Sequence, residues 1–174
     1  AGERHPTSLR SSKSDAAQRV PTAAIEDIPR PDVLATVRDL FSSGESRDRE
    51  TTLRDLAHAL GYKRLGKNIR EVLSNDLLTA VRRSILRNDD GSYTLDCRHI
   101  TDYDRSTLKT QFLAAISHDG RVWHDRADAI RLFTRWLGYR RTGKIIHDTA
   151  RSLINGLLRE KRLETDGDRL RRCK

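Results

Sequence analysis

Methionine is missing altogether, even at position 1; cysteine occurs twice, proline four times, and aromatic residues make up 5% of the chain. The missing Met reads as a fragment or processed piece of a longer protein. Cys97 and Cys173 are too few for a disulfide framework and lack metal-ligand spacing, so a reduced, cytosolic protein is expected. His58, His99, His118, His124 and His147 are scattered without a second ligand at helical spacing, so no metal and no cofactor is expected. No stretch approaches the roughly 18 apolar residues of a membrane span. The opening Ala1-Gly-Glu-Arg-His-Pro has no apolar core for a secretion signal.

Charge is unbalanced, and the imbalance is local. The 174 residues carry a formal net charge of +9. Residues 1–30 hold five basic and four acidic side chains, and residues 31–100 hold twelve and eleven, so each stretch is +1. Residues 101–174 hold seventeen and ten, which is +7. Such an imbalance favours polyanionic partners and says little about fold.

What is present is a repeat. Leu60-Gly-Tyr-Lys-Arg-Leu-Gly-Lys-Asn-Ile69 returns 77 positions later as Leu137-Gly-Tyr-Arg-Arg-Thr-Gly-Lys-Ile-Ile146, with seven of ten positions identical. Extending the comparison to 53–87 against 130–164 adds only Arg54/Arg131, Arg82/Arg159 and Leu86/Leu163. Hydrophobic character is kept while side chains drift, as expected of two copies of one supersecondary unit.

Around each signature the same order of elements is expected. Residues 1–29 lack sustained periodicity and read as a flexible linker. Pro31 suits a helix start, with Asp32 favourable against the dipole, and Val33, Leu34, Val37, Leu40 and Phe41 form its stripe to about Ser43. A second helix covers 49–60 and a third 66–84, followed by strands at 85–87 and 92–95 around Asp89-Asp90-Gly91. In the second copy, helices are expected at 106–117, 126–137 and 143–161, with extended 121–123 and a hairpin over 162–171. Three helices closed by a hairpin is the winged helix-turn-helix order. The fold class is mainly α with small β-hairpin wings, arranged as tandem winged helix-turn-helix domains at 30–98 and 99–174.

The stretch Leu-Gly-Tyr-Lys-Arg-x-Gly-Lys-x-Ile, a long helix, then Arg-x-x-Ile-Leu-x-x-Asp-Gly resembles the small C-terminal domain of large bacterial helicase–nuclease proteins of restriction and phage-defence loci. The resemblance covers about 45–95 and, more loosely, 122–172. It implies a winged-helix-like domain, a DNA-processing context and a cytoplasmic, nucleoid-associated location. The chain departs from those proteins in having two copies and no helicase or nuclease motif.

The candidate interface follows from charge and helix geometry. The first corner holds Lys63, Arg64, Lys67, Asn68 and Arg70; the second holds Arg140, Arg141, Lys144 and His147. A Gly-Lys pair at a helix start exposes unpaired N–H groups beside a cation, which suits phosphate. Along the third helices, Asn68, Asn75, Arg151 and Asn155 have the chemistry for base edges. Arg169 and Arg171 would bring the second wing to the neighbouring backbone or minor groove. Tyr62 and Tyr139 are expected to tether the corners, and Trp136 to pack in the core or between domains.

Catalysis finds no support in the residues. No Glu-x-Lys follows Pro31-Asp32 on a strand, and Asn68 or Ile145 stands where a nucleotide-binding loop needs a hydroxyl. The sequence reads as a non-enzymatic tandem module for nucleic acid, duplex DNA above all, with no membrane partner. Its rival is an assembly adaptor for other subunits or domains of a larger helicase–nuclease complex.

Overall fold

The computed structural model describes residues 23–173, which are mainly helical with small antiparallel strand pairs. The first half runs α1 (Arg30–Leu40), β1 (Arg47–Asp48), α2 (Arg49–Ala59), α3 (Lys67–Arg82), β2 (Leu86–Asp89) and β3 (Ser92–Leu95). The second runs α4 (Arg105–His118), β4 (His124–Asp125), α5 (Arg126–Trp136), α6 (Lys144–Arg159), β5 (Leu163–Asp166) and β6 (Arg169–Arg172). From β1 onward every boundary recurs 77 residues later, without insertion or deletion. Strand orders β1-β3-β2 and β4-β6-β5 match, and the pairs Arg47↔Tyr93 and His124↔Leu170 keep one register.

Helix ends repeat as well. Ser84 and Lys161 both take φ 55 after α3 and α6. Left-handed residues there let the next amides, Ile85 and Arg162, reach back to Ala80 and Leu157. Each half packs its own core. Leu73 and Ala80 in the first become Ala150 and Leu157 in the second, so bulk moves along the helix while volume is kept. Phe112 and Phe133 anchor the second core with ring centroids 5.2 Å apart.

Two sequence expectations change. The linker read at 1–29 holds an ordered end: Ile25–Asp27 form a 3₁₀ turn, and Ile25, 3% exposed, sits in the first core. Residues 1–22 of that linker lie outside the described residues. The second half starts the same way, with a 3₁₀ turn at Ile100–Asp102 and Ile100 buried. Tyr62 Oη donates to Ala23 O at 3.1 Å, and Tyr139 Oη to Arg98 O at 3.4 Å. Each corner is thus tied to the turn that begins its own half. The other change is β1, a two-residue strand not anticipated, whose counterpart β4 falls just after the expected 121–123.

The halves are joined through arginine. Arg38 of α1 is buried and donates to the carbonyls of Leu137 (2.6 Å) and Cys97 (2.7 Å) and to Tyr103 Oη (2.7 Å). Its guanidinium also lies 4.0 Å from the Tyr139 ring centroid. Arg83, at the end of α3, donates to Trp136 O at 2.8 Å and stacks 3.3 Å from the Trp136 ring centroid. Burial pulls the Arg83 guanidinium down to about 10. Trp136 therefore packs between the halves, and its Nε1 is held by Gln111 at 2.8 Å. Two cations meeting the last carbonyls of α5 complement the negative end of that helix.

Candidate nucleic-acid interface

Gly66 and Gly143 are the N-caps of α3 and α6, neither offers a side-chain cap, and neither helix has an acid in its first turn. Each helix therefore starts with unpaired amides beside an exposed lysine, Lys67 or Lys144. The two corners differ in what surrounds them.

At the first corner, carboxylates close in. Asn68 donates to Glu26 Oε1 from the preceding 3₁₀ turn, and that bond holds the Glu26 carboxyl below its ordinary range. Arg70 forks onto Glu50 of α2 at 2.6 and 2.7 Å, which lowers the Glu50 carboxyl likewise. Lys63, Arg64, Lys67 and Asn75 are exposed. None of the three cations among them has an ion-pair partner among the described residues.

At the second corner the front of the signature serves the joint. Arg140 bonds Asp39 of α1 at 2.7 and 3.0 Å, and Gly138 abuts the Leu34 backbone. The back of the signature is open. Arg141, Lys144 and Arg151 are exposed without an ion-pair partner among the described residues. His147 and Asn155 are exposed beside them, with His147 Nδ1 3.5 Å from Asp148 Oδ1. Positions 144, 147, 151 and 155 line one side of α6, as helical spacing requires. The β6 arginines are partly spoken for: Arg169 meets Asp166 at 3.0 Å and Arg171 meets Glu164 at 2.7 Å. Both also lie over Trp123, at 5.7 and 4.6 Å from its ring centroid.

A cleft of about 500 Å³ opens between the start of α5 and α6, which the sequence did not single out. Arg126 and Arg151 supply its cations, His147 an imidazole, Ala127 and Ile130 its apolar floor, and Asp125 and Asp168 its acidic edge. Arg151 also borders a shallower groove of about 290 Å³ running past Ser152, Asn155 and Arg159. The signal was a substitution: Ala127 stands 77 residues after Glu50, so the acid that occupies Arg70 has no counterpart here.

The arrangement offers positive charge and directed N–H donors along one helix. Among the described residues no three His, Cys, Asp or Glu side chains gather where they could hold a metal ion, and no helix is long and apolar enough to cross a membrane. No protein-family model matches the chain, and neither the curated proteins nor the solved structures searched give a match.

Proposed function

We propose that the chain is a pair of winged helices that binds duplex DNA through the second half, with α6 as the helix presented to the groove and the β5–β6 hairpin as its wing. The observation that carries this is the open basic side of α6, where Arg141, Lys144 and Arg151 face outward with no acidic partner among the described residues. The +7 charge of residues 101–174 adds a long-range attraction for a polyanion. Asn155 and Arg151 supply donors suited to base edges, while Lys144 and the first-turn amides suit phosphate. The first half, its corner met by Glu26 and Glu50, acts as the scaffold that fixes α5 through Arg38 and Arg83. A place inside a larger DNA-processing assembly follows from the resemblance of the signature and is proposed on that ground.

The test is fluorescence anisotropy with a labelled duplex of random sequence at two salt concentrations. Binding should weaken steeply with salt, by a log–log slope of about 0.9 per phosphate neutralised. Arg141→Glu with Lys144→Glu should abolish it. Wild-type protein that ignores duplex at about 50 mM salt, where contacts of this kind are strong, overturns the function and favours an assembly adaptor. Arg140 is a poor target, because its loss also breaks the contact with Asp39.

A further inference from the structure

From β1 onward the two halves repeat element by element at a spacing of 77 residues, yet one place is filled in the first and vacant in the second. In the first half Glu50 of α2 and Arg70 of α3 face each other in a two-pronged ion pair. Seventy-seven residues later those positions are Ala127 and His147, and the space between them is the cleft of about 500 Å³. Removing the pair leaves more than a gap. Arg151 replaces Ser74 at the same register, so a cation is added where the acid is lost. Arg126, half-buried at the first turn of α5, projects into the same cleft, and its amide is anchored to Asp168 O at 2.9 Å. A floor of Ala127 and Ile130 under cations from two helices fits an object that is part apolar and part anionic. A nucleotide has that composition, with an apolar sugar face next to a phosphate.

We propose that the α5–α6 cleft is a nucleotide-sized seat holding one backbone phosphate of the bound strand between Arg126 and Arg151, with the adjoining sugar over Ala127 and Ile130. The seat rests on the duplex-binding function above and names where that strand is gripped. It makes the module directional, since one half holds the backbone and its twin is closed by its own ion pair. Asp125 and Asp168 border the seat and repel an anion that strays toward them, which narrows its position.

The first half supplies the test. Ala127→Glu with His147→Arg installs the Glu50–Arg70 pair in the second half, at positions where this fold already carries it. The double variant adds one acid and one base, so net charge is unchanged with histidine neutral. Duplex affinity at fixed salt should fall by about fivefold or more, with a salt slope reduced by about one phosphate contact. Arg126→Ala should weaken binding in the same direction, and it decides the matter alone if the double variant fails to keep its circular-dichroism melt. Unchanged affinity in the plugged variant, with Arg141→Glu/Lys144→Glu still abolishing binding, removes the seat and leaves duplex binding standing. Loss of binding in none of these variants removes both. Titration with adenosine monophosphate distinguishes the source of the phosphate. Tight mononucleotide binding that the plug abolishes, with duplex affinity untouched, makes the cleft a free-nucleotide site and overturns the proposal.

Discussion

Arg38 and Leu137 lie 99 positions apart, and the guanidinium Nε of one donates a 2.6 Å hydrogen bond to the carbonyl of the other. Among the described residues no carboxylate shares this buried arginine; its partners are backbone carbonyls, the Tyr103 hydroxyl and the Tyr139 face. Removing it would strand buried acceptors at about 1–3 kcal/mol each. Arg38→Met, which keeps most of the apolar stem, is therefore expected to cost roughly 2–4 kcal/mol in urea unfolding. Arg140→Ala, also across the joint but on an exposed pair, should cost no more than about 1 kcal/mol. Equal losses in the two variants would mean that the joint is a surface contact rather than a shared core.

Gly138 makes the same joint possible by lacking a side chain. It has φ +75, and a Cβ built there would lie 3.0 Å from the Leu34 backbone carbon and oxygen. Gly120 has a similar φ of +79, but nothing lies within 4 Å of its would-be Cβ. Gly120→Ala therefore reports the left-handed backbone alone, at about 1 kcal/mol. Gly138→Ala adds a clash with main chain, which has no flexible end to swing away, and should lower the melting temperature by clearly more. Equal shifts in a thermal melt would rule out the close approach.

Much of this was legible in the sequence, and the parts that were not share a cause. The helices and hairpins emerge because Leu53, Leu56, Leu73 and Leu77, and their counterparts, recur with helical spacing, and the Asp90-Gly91 turn punctuates the strands. Periodicity weighs apolar residues against polar ones, so it cannot show that Arg38, Arg83 and Asp76 are buried, because their partners lie in distant elements. Asp76, for example, pairs with Arg30 at 2.8 Å, 46 residues away. The ordered turn at Ile25–Asp27 escaped because it is three residues long. Its echo, Ile100-Thr101-Asp102, stands 75 rather than 77 positions on. For the interface, the basic residues were visible but the acids that claim Asn68, Arg70 and Arg140 were not, since each comes from another element. Arg126 reads in the sequence as an ordinary helix start and carries no sign of the cleft it lines.

His124 gives the second half a pH dependence. The ring is 2% exposed on β4, neither nitrogen has a hydrogen-bond partner among the described residues, and burial holds its pKa below the ordinary value. Arg121 pushes in the same direction, while Asp119, Asp125 and Asp128 oppose it. Asp119 Oδ2 lies 3.3 Å from Nε2 without hydrogen-bond geometry. An imidazole that resists protonation when folded but accepts it when unfolded stabilises the fold above the ordinary histidine value, near 6.5. That stability is lost as pH falls below it, because the unfolded chain then binds more protons. Urea midpoints measured from pH 7.5 down to about 5 should decline, and His124→Phe should flatten that decline. A wild-type midpoint that rises on acidification would show that Asp119 and its neighbours win over burial.

The asymmetry of the two corners should rank their lysines. Lys67 and Lys144 occupy the same place, each the first residue of its helix after an uncapped glycine. Near Lys67 stand Glu26 and Glu50, engaged with Asn68 and Arg70; beside Lys144 stand Arg141 and the exposed Ile145, with Asp148 one turn on. A phosphate approaching the first corner meets the carboxylates of Glu26 and Glu50, which oppose it electrostatically. Lys144→Ala should therefore reduce duplex affinity several-fold and lower the salt slope by about one contact, whereas Lys67→Ala should change both little. Glu26→Gln with Glu50→Gln then serves as the converse: with the acids neutralised, Lys67→Ala should begin to matter. Equal effects of Lys67→Ala and Lys144→Ala in the wild-type background would mean that both corners grip DNA and that the carboxylates are no barrier.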